Sequence, residues 1–170
     1  YLDNFVRNSV PAFIAADAQA RYGLDDDSIC AAVEGFDVIT TEVKDLKKFP
    51  SKANTPLEHW QAAQSLVDQD LIDMLAIVVA EYPDYTDDVD AFVNGNQSCF
   101  CNMFIMRKAV FHDYCAWLFP LLEKFMDNWD NATYCKEALR TPGHLSERLL
   151  NIYLMHQVRC GATWKMKQVQ

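Results

Sequence analysis

Between Arg107 and Asn128, apolar side chains recur every three or four residues: Val110, Phe111, Tyr114, Cys115, Leu118, Leu121, Leu122 and Phe125. That rhythm fits the buried face of an α-helix, not the alternation of a half-buried strand. Pro120 falls inside it and predicts a kink. The preceding segment, Cys99–Met106, is short and apolar and reads as a strand. Asn102 is the one amide in those eight residues. An unpaired buried amide costs on the order of 1–3 kcal/mol, so Asn102 requires a partner, either backbone or a ligand.

The other elements are read in the same way. Leu2, Phe5, Val6, Val10, Phe13 and Ile14 place a helix over residues 1–22, with Pro11 as a break. Asp25-Asp26-Asp27-Ser28 is a helix start and Gly35 its stop. The β-branched run FDVITT, Phe36–Thr41, is a strand. Residues 42–55 are charged, contain Pro50, and read as a surface connection. Thr55-Pro56-Leu57-Glu58 resembles a capping box with proline at the first helical position. The helix it opens is expected to reach about Glu81, using Trp60, Leu66, Leu71, Leu75 and Val78, with a kink near Asp68-Gln69-Asp70. Tyr82-Pro83-Asp84 ends it. A further helix over about 84–93 stops at the turn Asn94-Gly95-Asn96. Thr133–Leu139 reads as a short helix broken by Thr141-Pro142-Gly143. His144–Val158 is the last strong helix, and the tail reads as loosely ordered. The fold class is therefore α+β, mainly helical with a small sheet.

Composition supports a packed domain. Of the 170 residues, 51% are hydrophobic, and only 5 are Gly and 6 Pro, which excludes a loop-rich or disordered chain. The net charge of −9, with no basic stripe, argues against nucleic acid and against an anionic membrane surface as partners. No apolar run approaches the ~20 residues of a membrane-spanning helix. The six cysteines form no CxxC pair, and they read as reduced thiols of a cytoplasmic protein. A zinc site from Cys99, Cys101, His112 and Cys115 is conceivable but disfavoured, because Cys99 and Cys101 lack the spacing of structural zinc sites. The chain starts at Tyr1 rather than Met, which reads as a fragment of something longer.

Ionisable groups gather at RTPGHLSERLLNIYLMHQ, Arg140 to Gln157. His144, Glu147 and Arg148 sit at i, i+3 and i+4 and share a helix face. Two readings of Glu147 are open: a carboxylate that supports the helix N-terminus, or a base at a cleft. Two acidic runs match a D-x-D metal pattern. Asp25-Asp26-Asp27 is better explained as capping. Asp88 and Asp90 lie about 200° apart on a helix and cannot chelate one ion together.

Three linked blocks carry a family resemblance: Asn102-Met103-Phe104-Ile105-Met106-Arg107, Phe111-His112-Asp113-Tyr114-Cys115-Ala116-Trp117-Leu118-Phe119-Pro120, and Gly143-His144-Leu145-Ser146-Glu147-Arg148-Leu149-Leu150-Asn151-Ile152-Tyr153-Leu154. In order and spacing they resemble the bacterial glycosyltransferase family catalogued as domain of unknown function 4422, found in capsule, lipopolysaccharide and cell-wall polysaccharide gene sets. Weaker similarity runs back through FDVITT and the Thr55–Leu71 helix. The family's upstream histidine-tyrosine-arginine-arginine-tyrosine run is absent, and Ala63 and Gln64 stand where family members carry histidines.

The resemblance implies the acceptor-side part of a GT-A-like fold, moving a sugar from a nucleotide-sugar donor to a glycan or lipid-linked glycan acceptor. It implies Glu147 as catalytic base. Asn102, His144, Arg148, Glu58 and His59 would serve substrate. No metal ligand is expected within this chain, and a divalent cation would belong to the complete enzyme. Residues 1–24 would be a helix leading from a missing donor-binding half, 25–158 the glycosyltransferase-like domain and 159–170 a tail. The alternative is a helical interaction domain that keeps the fold without the chemistry.

Overall fold

The computed structural model describes residues 22–23, 25–48 and 53–169. The helix expected over residues 1–22 lies, apart from Tyr22, outside them, as does Pro50. The chain divides into two compact units, Tyr1–Gly35 and Phe36–Gln170. In the first, helix α1 spans Asp26–Val33. The Asp25 carboxylate accepts from the Ser28 backbone N–H at 2.9 Å and from its hydroxyl at 2.8 Å, which is the capping role read from the acidic run. Gly35, at φ 80°, follows the helix in the left-handed conformation that glycine tolerates.

The second unit holds two small sheets and five α-helices among its described residues. Strand β1 (Val38–Thr41) is central in a three-stranded sheet, antiparallel to β4 (Phe104–Met106) and parallel to β5 (Met166–Val169). Strands β2 (Lys44–Asp45) and β3 (Gln97–Ser98) form an antiparallel pair. The helices are α2 (Pro56–Gln61), α3 (Asp68–Glu81), α4 (Thr86–Asn94), α5 (Lys108–Asp127) and α6 (Thr141–Arg159). The molecule is a mainly helical α+β protein with small sheets, one of them mixed.

Most of the rhythm that predicted α5 is buried, but Phe111 is exposed, and Cys115 and Leu122 are only partly covered. Val110, Tyr114, Trp117, Leu118, Leu121 and Phe125 face inward, each such burial contributing roughly 1.5–3 kcal/mol. The helix runs through Pro120 as one element. Its partner α6 buries Leu145, Leu149, Leu150, Ile152 and Tyr153 in the same core, together with Trp60, Leu71, Met74 and Val78 from α2 and α3. None of the helices is long and apolar enough to cross a membrane among the described residues.

Five expectations are corrected. The strand read over Cys99–Met106 is only Phe104–Met106. Cys99 donates its backbone N–H to Asn151 Oδ1 and accepts at its carbonyl from Asn151 Nδ2, and Cys101 takes a left-handed φ of 66°, so neither can join a ladder. The helix read from Thr55 to Glu81 is two, α2 and α3. The Trp60 indole N–H donates to the Val67 carbonyl at 2.9 Å, and this bond closes the loop that separates them. The connection over 42–55 contains β2 and a short 3-10 turn, Leu46–Lys48, that buries Leu46. The short helix over Thr133–Leu139 is a 3-10 turn at Ala138–Arg140, and Thr141-Pro142-Gly143 opens α6 instead of breaking a helix. Proline suits a first helical turn, where its missing N–H leaves nothing unsatisfied. The tail read as loose supplies β5, which pairs with all four residues of β1.

The two aspartates of the second D-x-D match part company as their helical spacing requires. Asp88 is buried and held by His156 and Arg159, while Asp90 is exposed. The four residues weighed as zinc ligands form no cluster able to hold a metal among the described residues.

Candidate functional site

Three elements build the candidate site. They are the loop Cys99–Met103, the end of α2 at His59–Trp60, and α6 itself from Gly143 to Asn151. Because α6 starts at Thr141, three residues earlier than expected, Glu147 lies in its second turn and the first turn has no acidic residue. Reading Glu147 as a carboxylate that supports the helix terminus therefore loses its premise, since that benefit is confined to the first turn.

Arg148 organises the cluster. It is 5% exposed, with its guanidinium 5.4 Å from the Trp60 ring centroid and 5.5 Å from that of Phe100. Aromatic faces attract a cation at that range, more strongly where water is excluded. Its Nη1 donates to Glu147 Oε2 at 2.9 Å, and Nη2 lies 3.3 Å from His59 Nδ1. Burial pushes the Arg148 pKa down, and the Glu147 carboxylate opposes that shift. The Glu147 side chain is 19% exposed. Its Oε1 carries no hydrogen bond among the described residues.

His59 is half-buried against Phe100, with ring centroids 4.8 Å apart. Burial first, and the neighbouring guanidinium second, lower its pKa to about 4, so it is neutral at physiological pH. His144 is lowered too, chiefly by burial. Glu58 is bound up in capping: its Oε2 accepts from the Asn54 backbone N–H at 2.6 Å and from the Asn54 amide at 2.8 Å, while Thr55 Oγ1 accepts from the Glu58 N–H. The capping box read from sequence is present, with Asn54 as the residue Glu58 reaches back to.

Asn102 is exposed, and its partners are local to the site. Its Nδ2 donates to the Gly143 carbonyl at 3.1 Å and to Ser146 Oγ at 2.6 Å, so Oδ1 is the group left for a ligand. The bonds to Gly143 and Ser146 pin Asn102 to the start of α6. Of the cavities near this region, one of about 390 Å³ lies along Ile39, Thr41, Asn102 and Ile105 and does not include Glu147.

The buried amide of the site is Asn151 and not the exposed Asn102. Its Oδ1 accepts from the Cys99 N–H at 2.8 Å, and its Nδ2 donates to the carbonyls of Cys99, at 3.0 Å, and Glu147, at 2.8 Å. It thus pairs with Cys99 as a neighbouring strand would. Thr41 Oγ1 holds the Phe100 carbonyl at 2.8 Å. These anchors hold Cys101 in its left-handed conformation, which costs a residue with a Cβ about 1–2 kcal/mol. The signal for Asn151 was available in sequence as a lone amide inside LLNIYL, four residues after Glu147. Trp60 and Phe100 carried no comparable signal, because any core aromatic looks the same in a sequence.

The arrangement can present a half-buried carboxylate with one oxygen fixed by a buried cation and the other open, flanked by a neutral imidazole and a rigid loop. The family described as Domain of unknown function (DUF4422) matches residues 5–158 of the chain. Among solved structures, that of the WbbM bifunctional glycosyltransferase in its apo form is similar, at 29% identity and a TM-score of 0.86. The match covers 92% of this chain and 27% of that one, so the chain spans about a quarter of that protein's length. No curated protein matches it.

Proposed function

Because the chain belongs to the family described as Domain of unknown function (DUF4422), and given its likeness to a bifunctional glycosyltransferase, we propose that it forms the acceptor-side part of an enzyme transferring a sugar from a nucleotide-sugar donor to a glycan acceptor. The observation that carries this reading is the Glu147 carboxylate, half-buried, with Oε2 fixed by Arg148 and Oε1 open. In the transfer, the acceptor hydroxyl gives its proton to Glu147 as its oxygen bonds to the anomeric carbon. The bond from that carbon to the donor phosphate breaks in line, and the nucleotide leaves with the electron pair. The anomeric configuration inverts.

The loop around Asn102 and the rings of His59 and His144 shape the acceptor's approach. The donor-binding elements, and any divalent cation, we assign to parts of a complete enzyme outside this chain, and the setting we propose is cytoplasmic, in capsule or lipopolysaccharide assembly. The test is Glu147→Gln in the complete protein, assayed against a panel of nucleotide sugars. Loss of two or more decades of turnover is expected of a general base, and unchanged turnover removes Glu147 from that role. A second reading, a helical interaction domain without chemistry, is favoured by one observation: both Asn102 donors are engaged within the chain. It predicts no transfer by the wild-type protein with any donor.

A further inference from the structure

The last turn of α6 carries a second cluster of titratable side chains, roughly 13 Å of helix rise beyond Glu147. His156 is 5% exposed and stacks on the Tyr85 ring, with centroids 3.5 Å apart. Its Nδ1 is 2.8 Å from Asp88 Oδ2. On its other side, Nε2 is 3.5 Å from the Sγ of Cys160, one helical turn on, and Cys160 is exposed. A thiol, an imidazole and a buried carboxylate therefore stand in series, the order in which a nucleophile, its base and the group that orients the base are met in covalent chemistry.

The hydrogen bonds fix which ring nitrogen carries the proton. Burial pushes the Asp88 carboxyl up, but bonds from Arg159 and His156 outweigh it and hold the group below its usual range. Arg159 donates to Oδ1 at 2.9 Å and to Oδ2 at 2.8 Å. An ionised carboxylate only accepts, so its 2.8 Å contact with His156 requires a proton on Nδ1. Arg159 Nη2 also lies 3.2 Å from Nδ1, but its two hydrogens go to Asp88 and to the Asp84 carbonyl, the latter at 2.6 Å. In the neutral ring Nε2 is then the acceptor, and it faces the Cys160 sulfur.

The surrounding charges decide how the thiol is activated. Asp84 Oδ2, 3.5 Å from Nε2, and Asp88 stabilise an imidazolium once the ring takes a proton. Arg159 beside Cys160 favours negative sulfur, whereas the exposed carboxylates of Asp84 and Asp87 and the C-terminal end of α6 oppose a standing charge there. The ring is therefore needed as a base at the moment of attack. We propose that Cys160 is a site of S-thiolation, a nucleophilic thiol that His156 deprotonates and that reacts with a low-molecular-weight disulfide. Sγ attacks one sulfur of the disulfide while its proton passes to Nε2. The reagent's S–S bond breaks, and the departing thiolate takes the proton from Nε2. Cys160 is oxidised to the mixed disulfide, and the second sulfur of the reagent is reduced to a thiol. Asp84 and Asp87 make the approach electronegative, so a cationic disulfide is favoured over an anionic one. None of this depends on Glu147.

The test is the rate of mixed-disulfide formation at each cysteine of the full chain with cystamine at pH 7, followed by peptide mass spectrometry. Cys30 and Cys135, also exposed, serve as internal references. The expected result is a native Cys160 rate at least about tenfold above both, an advantage that disappears in urea, where the cluster is dispersed. His156→Gln should remove the advantage and leave Cys30 and Cys135 unchanged. Should that buried substitution unfold the protein, the comparison of native and urea-unfolded parent decides alone. A smaller ratio in the native parent overturns the proposal, as does an advantage that survives urea or His156→Gln. Glu147→Gln should leave the Cys160 rate as it is, which separates failure here from failure of the transfer reading.

Discussion

The buried guanidinium of Arg148 donates to the half-buried carboxylate of Glu147 at 2.9 Å, so the candidate base is also the counter-ion of a cation with only 6% of its side chain exposed. Removing Glu147 leaves that charge uncompensated. Breaking such a pair from one side costs about 3–5 kcal/mol when the charge left behind is buried, and of the two it is the Glu147 carboxylate that keeps more contact with solvent. Glu147→Ala should therefore lower unfolding stability by about 3 kcal/mol, at the low end because Glu147 keeps some solvent. Arg148→Met should lose less, since Met fills the slot between Trp60 and Phe100 and forfeits mainly the cation–π term. Urea denaturation of the two variants checks the order, and Arg148→Met proving the worse would contradict it.

Asn151 should matter to the site without touching a substrate. Truncation to Ala leaves the N–H and C=O of Cys99 without their side-chain partner, and Cys99 is 4% exposed. At about 1–3 kcal/mol for each buried unsatisfied group, Asn151→Ala should cost on the order of 3 kcal/mol and loosen the loop Cys99–Asn102. The readout is faster amide exchange at Cys99 than at Leu149, on the same helix-packed core. Equal acceleration at both positions would mean that Asn151 stabilises the fold globally and not the loop.

The features legible in the sequence are those decided within a few residues. The Asp25 and Thr55 caps and the apolar stripes of α5 and α6 depend on spacings of three and four, and all are present. The features that depart from the sequence expectations depend on distant partners. Val38–Thr41 needs β5, which begins 128 residues after β1, and a short run such as MKQV carries no periodic signal of its own. The α2–α3 break is fixed by one indole reaching Val67, although the apolar positions on either side fit a single helix. Asn102 and Asn151 illustrate the same limit at the site. Sequence marks both as amides in apolar surroundings, but only the packing of α6 on the 99–102 loop decides which is buried.

Cys101 provides a direct measure of how firmly that loop is held. Its φ of 66° is unfavourable for a side chain and most of all for a β-branched one. Cys101→Gly removes roughly 1–2 kcal/mol of strain but gains freedom in the unfolded chain worth about 0.5–1 kcal/mol. Its stability should thus match or modestly exceed that of the parent. Cys101→Val should lose more than about 1 kcal/mol. Thermal unfolding of the pair separates the two effects, and a Val variant as stable as the Gly variant would show that the loop is free to relax.

The pH dependence follows from the depressed histidines. His59 titrates near pH 4 in the folded protein against an ordinary 6.5, through burial and then Arg148, and His144 moves in the same direction. Between those values the unfolded chain binds protons that the folded chain refuses, so unfolding takes up protons and stability falls as pH drops. Above about pH 6.5 both states are neutral at these rings, and this contribution is complete and flat. Asp70 works with the opposite sign, because its folded pKa is raised by burial, but its window lies at the acid end, adjoining 3.8. Stability measured by denaturant titration should therefore decline from pH 6.5 toward pH 4 in the parent and decline less steeply in His59→Gln, which cannot titrate. The substitution also removes the competing positive charge that protonation would place beside Arg148. An unaltered slope in His59→Gln would mean that the ring is protonated in the folded state, and it would withdraw the neutral imidazole from the acceptor side of the site.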